Sequence, residues 1–493
     1  MRISRLTTVS LMVVVLLSGV VFAGGWQYSG VGARAMALGG AYRGLSNDGS
    51  GAYYNPGGLA FLSTNYFNLT ASFSGPRPEV TPNFNSNGYE FGYLNGQTRY
   101  PVKDNIYLMG NTALFFKPKG AEKLTFGAAV YQMYDHNAVM NLFQISPAYN
   151  NKRQVQEDNH RSNIDVVTFQ PTIAYQFSDK LGVGVGLQIN RGDVWIDQVG
   201  FVDNPYGYPL DVRPYEQFPK LTSIDGYGYG LGINAGLQLK ATEKVTLGAN
   251  FISSSKIKID GSSIERIFFP FNQGIANLYN DPQANGNPAM TDIFNTYSNG
   301  DEWIVKSNFD MDMKLPSEIG AGIAIQANEN TMISADFVYT MWSQFDDFAV
   351  IMSGRDFLRS NNEQASDTWR SLLQDPTYHF DWDNAIRISA GIEKVLNERW
   401  VGRFGYMYDG SPIPDETFNE LFVDTGDKHH LNIGAQFILS DKITFDGAFE
   451  AVFAGKRDVG QAVDSNNDGD WDNFGGEWKT KSFNSSWAIN YRF

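Results

Sequence analysis

The chain has 493 residues, a net charge of −15 and no cysteine. Charged residues make up 18% of it, below the roughly 25% of ordinary globular domains, while 35 Phe, 25 Tyr, 10 Trp and 50 Gly are unusually many. Disulfides, thiolate metal sites, cysteine nucleophiles and a lipoprotein's acylated cysteine are therefore excluded, and the acidic balance argues against a nucleic-acid partner.

Residues 1–23 read as an export signal. Arg2 and Arg5 form a basic start, Leu11 to Val21 an apolar stretch, and Ala23 the small residue before a cleavage point at Gly24. A buried N-terminal helix fits these flanks less well. Beyond this stretch no uninterrupted apolar run approaches the ~20 residues of a spanning helix. Residues 24–60 are rich in Gly and Ala and weakly helical: Gly32 to Tyr42, then Ser46-Asn47-Asp48, then Asn55-Pro56-Gly57-Gly58-Leu59-Ala60. Small side chains of this kind suit folding in a confined space.

From Phe61 to Phe493 the chain alternates apolar and polar residues in segments of strand length, the pattern of strands with two unlike faces. Leu181, Val183, Val185, Leu187 and Ile189 share one face; Phe483, Trp487, Ile489, Tyr491 and Phe493 share another. Alternation alone leaves open which face meets which solvent, since a soluble sandwich alternates too. Connection lengths separate the two. Short turns follow Phe177, Lys240, Gln326, Lys394 and Ser440, whereas long polar excursions lie near 74–105, 135–162, 198–224, 260–302, 346–384, 410–428 and 457–481. Tight turns at one end and loops at the other mark an outer-membrane barrel, and seven long loops predict fourteen strands. The expected fold is an all-β, 14-stranded antiparallel transmembrane β-barrel over 61–493. Tyr131, Tyr134, Tyr339, Trp342, Trp400, Tyr406 and Tyr408 sit where interfacial aromatic girdles are expected.

Two loops carry apolar clusters: Phe201, Tyr206, Tyr208, Leu210, Tyr215 and Phe218, then Ile264, Ile267, Phe268, Phe269, Phe271 and Leu278. Such clusters bind something or pack on themselves as a cap. Arg213, Lys220 and Arg266 lie beside them and are candidates for pairing with a carboxylate, unless simply solvated. Asp464, Asn466, Asp468 and Asp470 reproduce the first half of a calcium loop, but Gly475 stands where a bidentate Glu is needed and Glu477 comes two residues late. A solvated acidic loop is the favoured reading, with Ca²⁺ or lipopolysaccharide-associated cations as the alternative; no other cofactor is expected. His136, His160, His379, His429 and His430 show no HExxH-type spacing; a barrel phospholipase that assembles His and Ser from distant strands is the alternative to the expectation of no catalytic residue and no enzyme activity.

The run from Gly32 through Asn55-Pro56-Gly57-Gly58-Leu59 resembles the amino-terminal hatch of the FadL/TodX family of outer-membrane transporters for long-chain fatty acids and hydrocarbons. The family usually has Ala where Gly57 stands. Tyr408 to Glu416 is similar to the family's Pro-x-Pro-Asp-Glu loop, Leu315-Pro316 resembles a further Leu-Pro strand entry, and Val423-Asp424 with Asp427-Lys428 departs from the usual continuation. The resemblance implies a barrel closed by a lumen plug over 24–60, with Asn55, Pro56 and Gly57 in the hatch. It implies capture of a hydrophobic compound by the third and fourth loops, binding in the lumen, hatch movement, and release sideways past a kinked third strand. Gly127 is the candidate kink, although an inward-facing small residue explains it equally. The implied partners are the apolar ligand, outer-membrane lipid and lipopolysaccharide, and the barrel assembly machinery through terminal Phe493; the implied state is a monomer. The alternative is a non-transporting barrel of the same superfamily that acts as a secretion shuttle.

Overall fold

The computed structural model describes residues 26–82, 100–101, 107–140, 149, 156, 160–203, 217–281, 299–345, 347–357, 373, 375–419, 421–422, 426–460 and 475–493. The export signal at 1–23 and the acidic stretch at 464–470 lie outside them. Among the described residues fourteen strands close one antiparallel barrel. They are β1 (Tyr66–Pro82), β2 (Tyr107–Phe116), β3 (Leu124–Met140), β4 (His160–Gln176), β5 (Leu181–Asp203), β6 (Gln217–Lys240), β7 in two segments (Val245–Ile252 and Ser255–Phe268), β8 in two segments (Glu302–Leu315 and Ser317–Asn328), β9 (Thr331–Met341), β10 (Ala385–Val395), β11 (Trp400–Asp409), β12 (Lys428–Ile438), β13 (Ile443–Ala454) and β14 (Gly476–Arg492). Closure runs from Tyr66↔Arg492 to Pro82↔Gly476, so β1 leaves no free edge beside β14.

The polarity of the faces is inverted relative to a soluble sandwich. On β14, Phe483, Trp487 and Ile489 are 60%, 49% and 47% exposed, while Ser482, Asn484, Ser486 and Asn490 are buried. Leu431 and Ile433 on β12 and Phe445, Phe449 and Phe453 on β13 continue this outward apolar band; Asn432, Asp446 and Glu450 face inward. An apolar outside around a polar inside is the arrangement that hydrocarbon demands. β5 and β6, at 23 and 24 residues, greatly exceed the ~9–11 that a bilayer crossing requires, so they carry the barrel wall beyond the lipid.

Several local expectations change. Trp400 is exposed as a girdle residue should be, but Tyr131, Tyr134 and Trp342 are buried inside. Pro316, which has no N–H for the ladder, separates the two halves of β8, so Leu315-Pro316 marks a break within a strand and not its entry. The register runs unbroken through Gly127, opposite Phe115 on one side and Thr172 on the other. The irregularity in β3 lies instead between Gln132 and Tyr134, leaving Met133 as the extra residue of a bulge.

Residues 26–62 lie against the inward faces of the strands. They form α1 (Ala33–Ala37), α2 (Gly51–Tyr54) and a 3-10 turn (Pro56–Phe61). Gly39 ends the first helix at φ 63, where a Cβ would sit 2.7 Å from the Tyr406 carbonyl of β11. Only glycine combines that dihedral with that approach.

Candidate functional site

The interior segment is held by charge and by close backbone contact. Arg43 pairs with Glu318 of β8 and, at 3.4 Å, with Asp336 of β9, and its Nε donates to Asn250 of β7 at 2.7 Å. Asp336 also accepts from the backbone N–H groups of Tyr42 and Arg43 at 2.9 Å each. Arg34 Nε donates to Glu393 of β10 at 2.8 Å, and the same carboxylate accepts from Arg403 of β11 at 2.7 Å. These groups are buried or nearly so, which makes each partner dependent on the other.

The Asn-Pro-Gly turn is fixed with equal care. Asn55 accepts from Gly57 N at 3.0 Å, and its amide donates to the carbonyls of Arg43 and of Leu237 in β6 at 3.0 Å. Pro56 supplies the preset φ of a first helical position and needs no donor there. A Cβ on Gly57 would lie 2.7 Å from Leu237 Cα, which accounts for the glycine here. Lys117, in the turn after β2, donates to the Ala60 carbonyl at 3.0 Å; partial burial lowers its ammonium from the ordinary value.

Above the segment's other end, the barrel wall is incomplete among the described residues. β2 pairs with β3 only from Thr112↔Val130 to Phe116↔Phe126, while β2 continues along β1 and β3 continues along β4. From Tyr131 upward, β3 therefore has no ladder partner on the β2 side among the described residues. Residues 26–28 occupy that edge: Tyr28 N donates to Met133 O at 2.7 Å, and Gln27 bridges Tyr134, with Gln27 Nε2 donating to the Tyr134 hydroxyl at 3.0 Å. Beside the gap lies a cavity of about 160 Å³ lined by Trp26, Tyr28, Tyr107, His136, Lys428 and His430, among others. Ser29 donates to Glu450 at 2.6 Å, and Glu450 lies 3.0 Å from His430 Nδ1, which fixes the cavity floor.

Of the loop residues expected to form a groove, Phe218, Ile267, Phe268 and Phe269 are buried together with Trp303 and Leu373, and Phe201 packs against them. Ring centroids of Phe269 lie 5.3 Å from Phe218 and 5.4 Å from Trp303. In the described part of these loops the apolar side chains pack on one another. Ile264 is half-exposed on β7, and Phe271 is half-buried after it. Lys220 and Arg266 lie 3.6 Å from Glu265 and 3.7 Å from Glu302, so protein carboxylates already face both cations. Tyr206, Tyr208, Leu210, Arg213 and Tyr215 lie outside the described residues, as does the side chain of Leu278.

A second aromatic cluster was not anticipated. The connections after β9 and β11 bring together Trp342, Phe345, Phe380, Trp382 and Phe422, with Phe345 stacked on Trp382 at 4.6 Å. Trp26 joins it, 5.5 Å from Phe422 and 5.0 Å from Tyr134. The density of Trp and Phe at 342–348 and 380–382 was the available signal. Alternation could not reveal that these residues meet the chain's start.

The family model for outer membrane protein transport proteins (OMPP1/FadL/TodX) matches residues 14–493. No curated protein matches the sequence. A solved Pseudomonas aeruginosa FadL homologue superposes with TM-score 0.71 at 15% identity, covering 95% of this chain and 100% of that one. The Pseudomonas putida toluene transporter TodX gives 0.63 at 14% identity, covering 94% and 99%. The CymD monoaromatic hydrocarbon channel gives 0.62 at 13%, covering 94% and 98%. At such identities the likeness speaks for the fold.

Proposed function

The chain belongs to the OMPP1/FadL/TodX family of outer-membrane transport proteins, and from that premise we propose that it takes up hydrophobic small molecules, fatty acids or hydrocarbons, passively. In this reading residues 26–62 are a plug, and the ligand leaves sideways between β2 and β3 once residues 26–28 withdraw. The observation that carries it is the upper half of β3, which among the described residues has no ladder partner on its β2 side and carries the chain's start on that edge. Ion pairs of Arg34 and Arg43 tie the interior segment to β8, β9 and β10 across the lumen, which favours a lateral route. A lateral route also suits the cargo, since returning an acyl chain to water costs about 0.8 kcal/mol per CH₂. The names of TodX and CymD, a toluene transporter and a hydrocarbon channel, support apolar cargo and a channel role.

The test is uptake by cells lacking any member of this family, with and without the chain, using radiolabelled oleate and toluene. Saturable uptake of at least one is expected. Folded barrel in the outer membrane with no uptake of either would overturn the proposal.

A further inference from the structure

The cavity beside the gap between β2 and β3 is small, and its walls are of two kinds. Its volume of about 160 Å³ is close to the ~150 Å³ in which a protein interior holds one benzene ring. Most of a long acyl chain would lie outside such a space. Trp26, Tyr28, Pro76, Tyr107 and Val452 supply aromatic and apolar surface that suits a ring, and His136 and His430 set imidazoles among them. His430 is 4% exposed, and its bonding is one-sided. Its Nδ1 lies 3.0 Å from Glu450, a carboxylate that also accepts from Ser29 at 2.6 Å and from Asn484 Nδ2 at 2.5 Å. A carboxylate only accepts, so the Nδ1–H donates to it. Nε2, on the other side of the ring, is left without a hydrogen-bond partner among the described residues, as is His136 Nε2. Buried polar atoms in folded proteins are ordinarily satisfied, so these two nitrogens call for an occupant that can bond them.

We propose that this cavity selects a single-ring cargo bearing a hydroxyl, a phenol of the para-cresol type, and that His430 Nε2 reads the hydroxyl. The proposal rests on the uptake reading above, since it makes the cavity the last stop before the gap. The choice of polar group follows from the imidazole. With Nδ1–H committed to Glu450, a neutral His430 offers a lone pair at Nε2 and needs a donor; protonated, it offers an N–H and needs an acceptor. A hydroxyl serves in either state. A carboxylate serves only the second. Toluene serves neither, and it leaves a desolvated nitrogen unpaired. A site built to bond a hydroxyl rejects the analogue without it far more sharply than an apolar pocket rejects one methylene more or less. Toluene still fits the aromatic walls and is expected to bind, only more weakly.

The experiment is equilibrium dialysis of the full barrel in lipid nanodiscs, in sealed cells at neutral pH, against radiolabelled para-cresol, toluene and para-toluate, with empty nanodiscs as background. Wild type should hold para-cresol at one saturable site, at least tenfold more tightly than toluene or para-toluate. In His430→Asn the amide can still donate to Glu450 in place of Nδ1, but Nε2 is gone. Affinity for para-cresol should then fall at least tenfold, while affinity for toluene stays within about threefold. His136→Phe leaves the Glu450 contacts untouched and should weaken para-cresol at least threefold. Mobility of the unheated barrel on a gel and unchanged hydrogen exchange of the Tyr28 amide show that each variant is folded with residues 26–28 in place. The proposal is overturned if toluene or para-toluate binds wild type as tightly as para-cresol does, or if His430→Asn binds para-cresol like wild type. Either result leaves the uptake reading standing, because that reading is judged by entry of oleate and toluene into cells.

Discussion

Replacing Arg43 by Met should release the interior segment from the barrel wall without unfolding the barrel. The guanidinium is 3% exposed, against 2% for Glu318 and 0% for Asp336. Its removal strands two buried carboxylates, and breaking a buried pair from one side costs about 3–5 kcal/mol. Each 1.36 kcal/mol is a factor of ten, so the seated population should fall by roughly two to four orders of magnitude relative to unseated. Hydrogen–deuterium exchange of the amides in 41–59 reads this directly, and liposome swelling with a small sugar reads the opened lumen. Arg43→Met/Glu318→Leu supplies the control for packing. It removes one orphaned charge and leaves Asp336 its two backbone donors, so it should regain at least half of the lost protection. Unchanged exchange in Arg43→Met would refute the idea that this ion pair holds the segment. Equal loss in single and double variants would show that charge is not the cause.

Asn55→Ala removes a cap and two donations to buried carbonyls, at about 1–3 kcal/mol, so 41–59 should exchange faster while thermal melting of the barrel stays put. Gly127→Val would place Cβ 2.0 Å from the Leu114 carbonyl; the barrel should fail to assemble, lacking the mobility shift of folded protein, and a folded variant altered only in uptake would contradict this. Phe269→Ala opens a cavity beside Phe218 and Trp303 at about 3–5 kcal/mol. Faster exchange at 199–202 with unchanged uptake is expected of a cap, and a weaker apparent affinity for ligand with unchanged exchange would instead mark a groove.

The barrel was legible because alternation and connection length are local properties of the chain. Ser482 to Arg492 reads as inside-outside without any knowledge of its neighbours, and five short turns against long loops give the orientation of the strands. What stayed hidden depends on contacts far apart in sequence. Met133 becomes a bulge only because β4 pairs past it while β2 stops at Val130, and no motif in 124–140 records where β2 will stop. Gly127 looked like the natural bend, yet its small size serves the close passage of Leu114 and Phe115. Tyr131 has the composition of a girdle residue but donates inward to Gln170 at 2.6 Å. The Asn-Pro-Gly turn was readable as a turn; that Gly57 faces Leu237 across 180 positions was not. Trp26 meeting Phe345 and Phe422 likewise requires the closed barrel.

The central claim, that ligand passage requires residues 26–28 to leave the edge of β3, can be tested with one tether in this cysteine-free chain. Gln27→Cys/Tyr134→Cys places two thiols at positions already paired across the bridge. Uptake of the transported compound is measured in the oxidised and reduced states of the same cells. The account predicts that the oxidised barrel takes up no more than cells without the protein, and that reductant restores uptake. Equal uptake in both states, with the disulfide verified by mass spectrometry, would contradict it.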